Sequence, residues 1–264
     1  MISDTEGIVL KTTKTSYGRT MVLLFSRRYG KISAGTNLGE KNRGKNSLAI
    51  RPFTLGRYEL FKGRETYNIN SAEVIKSYYK IGENVDKYML GSYVLEFTEK
   101  VLAEDVPAQG IFTSLIDFFD LLEKRDRGFG TLALAYQTKV LKYSGVMPQL
   151  DYCTVCGSPL SSSVSGTEDR GSEENNEMKK PAVFSVENGG VVCEDCVQKL
   201  PPDGLIYPID FGIIDILKYF AANSLKKLEN VGIREDAGKA LQSLVRQYAA
   251  YHLGAADIKS EKLI

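Results

Sequence analysis

Four cysteines carry the clearest chemistry in this chain. Cys153 and Cys156 form one Cys-x-x-Cys pair, followed at once by Gly157, and Cys193 and Cys196 form a second. Each pair sets two thiolates on a tight knuckle, and two knuckles supply the tetrahedral four-sulfur shell that zinc favours. Gly157 suits the sharp turn after the second ligand. The interval between the pairs is 36 residues, longer than is usual for this pattern. The excess is Ser161–Lys180, SSSVSGTEDRGSEENNEMKK, 20 residues with one Val and one Met for apolar content. Such a composition predicts a disordered, dispensable loop, and removing it leaves an ordinary spacing of 16. Four thiolates leave no open position for water or substrate. The expectation is therefore one structural Zn2+, with iron in the same shell as the alternative. A redox dithiol is the weaker reading, because a single pair would serve it.

No other residues assemble into a catalytic set. His252 is the only histidine and sits near the end of an amphipathic helical pattern. Ser92 and Ser144 have no partner base, and no phosphate-loop motif GxxxxGK[ST] is present. The sequence predicts a protein that is not an enzyme.

The second chemical signal is charge. Residues 1–80 hold 15 Lys/Arg against 6 Asp/Glu, whereas the other 184 hold 19 against 27. A basic portion beside an acidic remainder points to an anionic polymer as ligand. The stretch SRRYGKISAGTNLGEKNRGKN, Ser26 to Asn46, concentrates six basic residues, one acidic residue and four glycines. Arg27, Arg28, Lys31, Lys41, Arg43, Lys45, Arg51 and Arg57 are the candidate phosphate contacts, giving sequence-independent, salt-sensitive binding. Tyr17, Tyr29, Phe53 and Tyr58 are the aromatics available for base stacking, with the barrel core as the plainer role of Phe53 and Tyr58.

These residues need a frame. GIVLKTTKTS, RTMVLLFSRR, KISAGTNLG, FTLGRYELFKG and ETYNINSAEVI read as five strands, with Gly56, Tyr58 and Leu60 inward. Five short strands in about 75 residues suit a small closed barrel, an OB-fold. Helical stripes follow: Leu90, Val94, Phe97, Val101; then Phe112, Leu115, Ile116, Phe119; then a helix from Gly130 to Tyr143 stopped by Gly145. Helical period returns at Ile213–Ala221 and Leu241–Tyr248. The expected fold class is α+β: an N-terminal five-stranded OB-fold barrel, then an α-helical domain with an inserted zinc-binding knuckle region of four cysteines. The expected domains are 1–80 for the barrel, 81–150 with 201–264 for the helices, and 151–200 for the insertion, with disordered loop 161–180. No run of 18 apolar residues exists, and the N-terminus MISDTEGIVLK lacks the apolar core of a signal peptide. A cytoplasmic protein with no membrane partner is expected.

The order of these features carries a resemblance. A basic barrel opening with GIVLKTTKTSYGRTMVLLFSRRYGKISAGTNLGEKN precedes an F...FDLLE helix, then YQTKVLKYSGVMPQLDYCTVCG, a second Cys-x-x-Cys and a closing YHLG. This resembles the RecO family of bacterial DNA repair and recombination mediators over nearly the whole chain. The resemblance implies binding of single- and double-stranded DNA, annealing of complementary strands, and action with RecR. In many bacteria RecF joins them in loading the recombinase RecA onto strands coated by single-strand binding protein. It implies that the helical domain receives the acidic C-terminal tail of that protein, and that the location is the nucleoid during repair. Arg27, Arg28, Lys31, Arg43 and Lys45 match the family's DNA-binding surface in kind. Two other classes stay open: an RNA-binding OB protein with a zinc ribbon, separated by 2′-hydroxyl discrimination, and an interaction module whose basic loop docks an acidic peptide.

Overall fold

The computed structural model describes residues 2–16, 18–38, 45–63, 66–161, 179–209 and 212–263. Lys41, Arg43 and most of the serine- and glutamate-rich loop lie outside them. By density of contacts the chain divides into two compact units, 1–129 with 257–264, and 130–256. Among the described residues, no helix is long and apolar enough to cross a membrane.

The first unit is built on the expected barrel. Its strands are β1 (Ile2–Lys14), β2 (Thr20–Ser26), β3 (Gly30–Thr36), β4 (Thr54–Lys62) and β5 (Tyr67–Ser77), with a short helix α1 (Lys45–Leu48) between β3 and β4. They close in the order β1-β2-β3-β5-β4. The long first strand makes closure possible. Its first half, Ile2–Ile8, pairs with β4, and Gly7–Lys14 pairs with β2, with a bulge between Val9 and Lys11. A bulge sharpens strand twist and lets one strand serve two neighbours. A short parallel pairing of β3 with β5, Ala34 to Tyr67 and Gly35 to Asn68, seals the other seam. Full closure removes the open edges that such short strands would leave. Alternation decides the interior: Gly56, Tyr58 and Leu60 are buried while Arg57 is exposed. Tyr58 joins Val9, Val22, Leu24, Ile32 and Ile69 in the core, and its hydroxyl donates to Ala49 O at 2.6 Å.

Two helices pack on this barrel, α2 (Val85–Val101) and α3 (Gln109–Lys124). Asn84 caps α2 by accepting from the Lys87 amide at 3.0 Å. An aromatic seam joins barrel to helix: Phe25 meets Phe112 edge-on at 5.2 Å and Phe53 meets Phe119 at 5.6 Å. Phe53 holds φ at 63°, and Gly91 on α2 admits its ring, since a Cβ there would lie 2.7 Å from Phe53 Cε1. The chain's end returns to the same unit. Glu96 on α2 accepts from the Lys259 and Ser260 amides, both at 2.9 Å, and from the Ser260 hydroxyl at 2.6 Å. It thereby caps the final 3-10 turn, Lys259–Leu263.

The second unit centres on α4 (Phe129–Tyr143), whose residues from Thr131 to Leu141 are all buried. A helix buried on every side must be the middle of its unit. Gly145 follows it at φ 74°, the left-handed stop expected from the sequence. Helices α5 (Ile213–Ala222) and α6 (Glu235–Leu253) come later, and between them and α4 stand three strands: β6 (Pro181–Ser185), β7 (Gly190–Cys193) and β8 (Ile206–Pro208). They form one sheet in the order β7-β6-β8. The sequence reading missed this sheet, although its signal is present: PAVFS and GVVC flank Asn188-Gly189, a hairpin turn in which Gly189 takes φ 76°.

Candidate metal centre and nucleic-acid face

The hairpin places the second cysteine pair. Cys193 ends β7, and Cys196 lies in the 3-10 turn Glu194–Lys199 that follows. The first pair comes from the loop after α4 and is laid on β7 by backbone bonds, Thr154 N to Val191 O at 2.9 Å and Val191 N to Gln149 O at 3.0 Å. Within the first knuckle, Gly157 N donates to Cys153 O at 2.8 Å and Cys153 N donates to Ser158 O at 2.9 Å. The turn this requires puts Gly157 at φ 73°. The sulfurs of Cys153, Cys156, Cys193 and Cys196 all lie within 4.8 Å of one another, a group able to hold a metal ion. The long interval does not disturb them, because Ser161 N donates to Lys179 O at 3.0 Å and so closes the base of the excursion.

On the barrel, the cations expected from the sequence fall into different surroundings. Arg27 sits in the turn before β3, its Nε 2.9 Å from Glu6 Oε2 and its guanidinium 4.8 Å from the Phe112 ring. Arg28 is exposed, with its guanidinium 5.3 Å from the Tyr29 ring. Lys31, on β3, donates to Glu99 O at the end of α2 at 3.0 Å. Arg57 lies on β4 with Glu6 and Glu73 as its partners on either side. Lys45 opens α1, but its side chain falls outside the described residues, as Lys41 and Arg43 do entirely.

Arg51 is different. It lines a cleft of about 330 Å3 with Thr12, Lys14, Ser47 and Ile50. A second cleft of about 390 Å3 is lined by Arg19, Gly35, Asn37, Leu38, Asn68 and Asn70. Thr20, the first residue of β2, lines the first cleft, and Arg19 before it lines the second. Lys14 and Arg19 bracket the β1–β2 loop, a turn in which Gly18 N donates to Thr15 O at 2.9 Å. The sequence reading did not single them out. Their signal was the fold itself, since the first loop of an OB barrel borders its binding face. Among the aromatic candidates, Tyr58 is core, Phe53 packs on α2 and α3, Tyr29 leans on Tyr67 at 5.7 Å, and Tyr17 lies outside the described residues.

Comparison with known proteins decides the family. Residues 1–78 match the family model described as Recombination protein O N terminal, and residues 82–262 match Recombination protein O C terminal. The chain belongs to the RecO family. A DNA repair protein RecO from Alkaliphilus metalliredigens is 25% identical over 260 residues, 98% of this chain and 97% of its own. The DNA repair protein RecO of Caldanaerobacter subterraneus is 26% identical over 257 residues, 97% and 95% of the two chains. That of a Thermoanaerobacter species is 26% identical over 260 residues, 98% and 96%. Membership supports a role in DNA repair and recombination.

In this RecO-family chain the thiols are electrostatically unlike. Hydrogen bonds from Ser158 bring Cys156 down to about 6. Burial pushes Cys153 upward, but the amides of Cys193, Cys156 and Val155 outweigh it and hold the thiol below its ordinary value. Burial, with neighbouring thiols, lifts Cys193 to about 12, and burial also raises Cys196. Four sulfurs this close cannot all ionise without a cation to share, which suits the donor set to a thiophilic metal. His252 is packed instead: Nε2 lies 2.7 Å from Val186 O and the ring leans on Tyr248, centroids 4.2 Å apart and planes tilted by 36°.

Proposed function

We propose that this RecO-family protein is a non-catalytic DNA-binding mediator of repair and recombination. In this reading it binds single and double strands without reading sequence, anneals complementary strands, and helps load recombinase onto strands coated by single-strand binding protein. The observation that carries the reading is the two barrel clefts that have Lys14 and Arg51, and Arg19, among their lining residues. Phosphates are contacted there by guanidinium and ammonium groups, releasing counterions. Asn37, Asn68 and Asn70 supply neutral donors and acceptors in the cleft lined by Arg19. Annealing requires two polyanions to approach, and cations held at one strand's phosphates lower their repulsion. Arg27, Arg28, Lys31, Lys41, Arg43 and Lys45, from the segment Ser26 to Asn46, are the further phosphate contacts in this reading.

The four cysteines hold one structural zinc in this reading. A tetrahedron with zinc–sulfur bonds of about 2.3 Å has sulfur–sulfur edges of about 3.8 Å, and Cys156 Sγ stands 3.8 Å from Cys193 Sγ. The partners are RecR and the acidic C-terminal tail of single-strand binding protein, with RecF and RecA engaged through them. One feature of the second unit supports an acidic partner. The exposed Lys142 donates to Ala221 O at 2.9 Å and keeps donors to spare, while the buried Lys139 donates to the same oxygen at 2.8 Å from within.

Strand annealing by the purified protein with labelled complementary oligonucleotides tests the proposal, with RNA of the same sequence alongside. Acceleration of DNA annealing that weakens with salt is the expected result. A preference for RNA, or binding to an acidic peptide with no annealing, would replace it.

A further inference from the structure

The four cysteines differ in access. Cys153, Cys193 and Cys196 are 2%, 0% and 1% exposed, whereas Cys156 is exposed. Its neighbours Val155 and Gly157 are exposed as well, so the tip of the first knuckle stands in solvent. Beside Gly157 there is open space, since a Cβ built there would meet nothing within 4 Å. Across the knuckles, Cys156 Sγ faces the buried Cys193 Sγ at 3.8 Å. An accessible sulfur thus stands next to a sheltered one that belongs to the other pair.

We propose that Cys156 is a peroxide-oxidation site through which the metal centre is opened by a Cys156–Cys193 disulfide. The proposal rests on the reading of the four sulfurs as a zinc shell. In the first step the Cys156 thiolate attacks one oxygen of hydrogen peroxide. A sulfur–oxygen bond forms, the oxygen–oxygen bond breaks, and hydroxide leaves. In the second step the Cys193 thiolate attacks the sulfenic sulfur, forming the disulfide and expelling a second hydroxide. Two thiolates lose two electrons, and one peroxide becomes two hydroxides. Cys153 and Cys196 remain, half the shell that a structural zinc needs. A dithiol reductant reverses the step, and the knuckle then takes up zinc again.

The reaction is testable on the full chain purified without chelator. Metal content is measured first, which tests the zinc reading by itself. The protein is then treated with hydrogen peroxide while a chromogenic chelator follows zinc release, and peptide mass spectrometry maps modified sulfurs. Cys156 should react first, on the order of tenfold faster with peroxide or maleimide than any other cysteine. Zinc release should track Cys156–Cys193 formation one to one, and dithiothreitol with zinc should restore the starting state. A Cys156→Ser variant should form no disulfide across the knuckles; if that variant fails to fold, the order of alkylation in the parent decides. Predominance of Cys153–Cys156 or Cys193–Cys196 disulfides, or zinc retained after Cys156 is oxidised, would overturn the proposal. If no metal is found at the start, disulfide mapping on the same sample still judges whether Cys156 leads.

Discussion

Replacing Lys14, Arg19 and Arg51 together by Ala should cut DNA affinity without loosening the fold. All three are exposed, and among the described residues none is ion-paired with a carboxylate; Arg19 bonds only the neutral Asn68 side chain. Exposed substitutions away from caps and cores change stability by about 0.5 kcal/mol or less. Each cation that neutralises a phosphate on a single strand contributes about 0.7 to the slope of log affinity against log salt, so three lost contacts flatten it by about 2. Near 0.1 M salt the same term is about two decades, so binding should weaken on the order of 100-fold. Fluorescence anisotropy with unrelated oligonucleotides across a salt series measures both quantities. Arg57→Ala is the internal control: Arg57 lies on β4 opposite Glu73, outside the lining of both clefts, and its loss should leave the slope unchanged. A parallel variant at Arg28, Arg43 and Lys45 asks whether the track extends into the basic segment. A triple variant at Lys14, Arg19 and Arg51 that keeps the parent slope and affinity would refute the cleft as the DNA track, as would a loss confined to one sequence.

Changing Cys196→Ser should lower bound metal well below one per chain and destabilise the second unit, read by metal analysis and limited proteolysis, while DNA affinity changes little. Tyr58→Phe should cost about 1 kcal/mol in denaturant unfolding, because the Ala49 carbonyl loses its buried donor. Glu96→Gln should loosen the final turn by about 1 kcal/mol, measured by hydrogen exchange at Lys259 and Ser260. Burial works against its charge, but the Ser260 and Lys259 donors prevail and hold Glu96 below the usual carboxylate value. That contribution is present above the unfolded value and fades as pH falls through the depressed one, so parent and variant should converge in acid. Excising residues 162–178 should leave metal content intact, because Ser161 N already bonds Lys179 O at 3.0 Å. Loss of metal on excision would show that the loop does more than bridge.

The barrel was legible because its strands alternate. Tyr58 and Leu60 announce an interior, and the turn residues mark the ends, so five strands and their closure follow from pattern. What pattern omits is the partner of each apolar face. The stripes through Val94 and Phe112 say that α2 and α3 bury a side, but not that Phe53 and Phe25 of the barrel cover it. Phe53 looks like a strand residue and instead takes φ 63°, a conformation that only its pocket against Gly91 makes tolerable. The cysteine spacing was legible for the opposite reason, because two knuckles carry their geometry locally. The hairpin behind the second knuckle does not show as alternation, because its strands, PAVFS and GVVC, are only five and four residues long and buried on both faces near the turn.

Charge was legible only as a count, and the register shows why a count misleads. Ile2, Asp4 and Glu6 on β1 stand opposite Phe61, Glu59 and Arg57 on β4. Arg57 in turn meets Glu73, and Glu59 meets Ser71, on β5. One row therefore sets Arg57 in register between Glu6 and Glu73, with Glu6 itself paired to Arg27 at 2.9 Å. The next sets Asp4 directly against Glu59, a pairing that costs stability on a sheet, eased where Glu59 accepts from Ser71 Oγ at 2.9 Å. Beyond the bulge the same strand turns to β2 and carries Lys11 and Lys14. The formal side-chain charge thus changes sign along one strand of 13 residues, from Asp4 and the Arg27-paired Glu6 near its start to Lys14 at its end. Under the proposed function a polyanion would avoid Asp4 and Glu59 and favour the clefts lined by Lys14, Arg19 and Arg51. In that proposal such a gradient would orient a phosphate backbone on the barrel with no base being read, as the annealing of arbitrary strands would require.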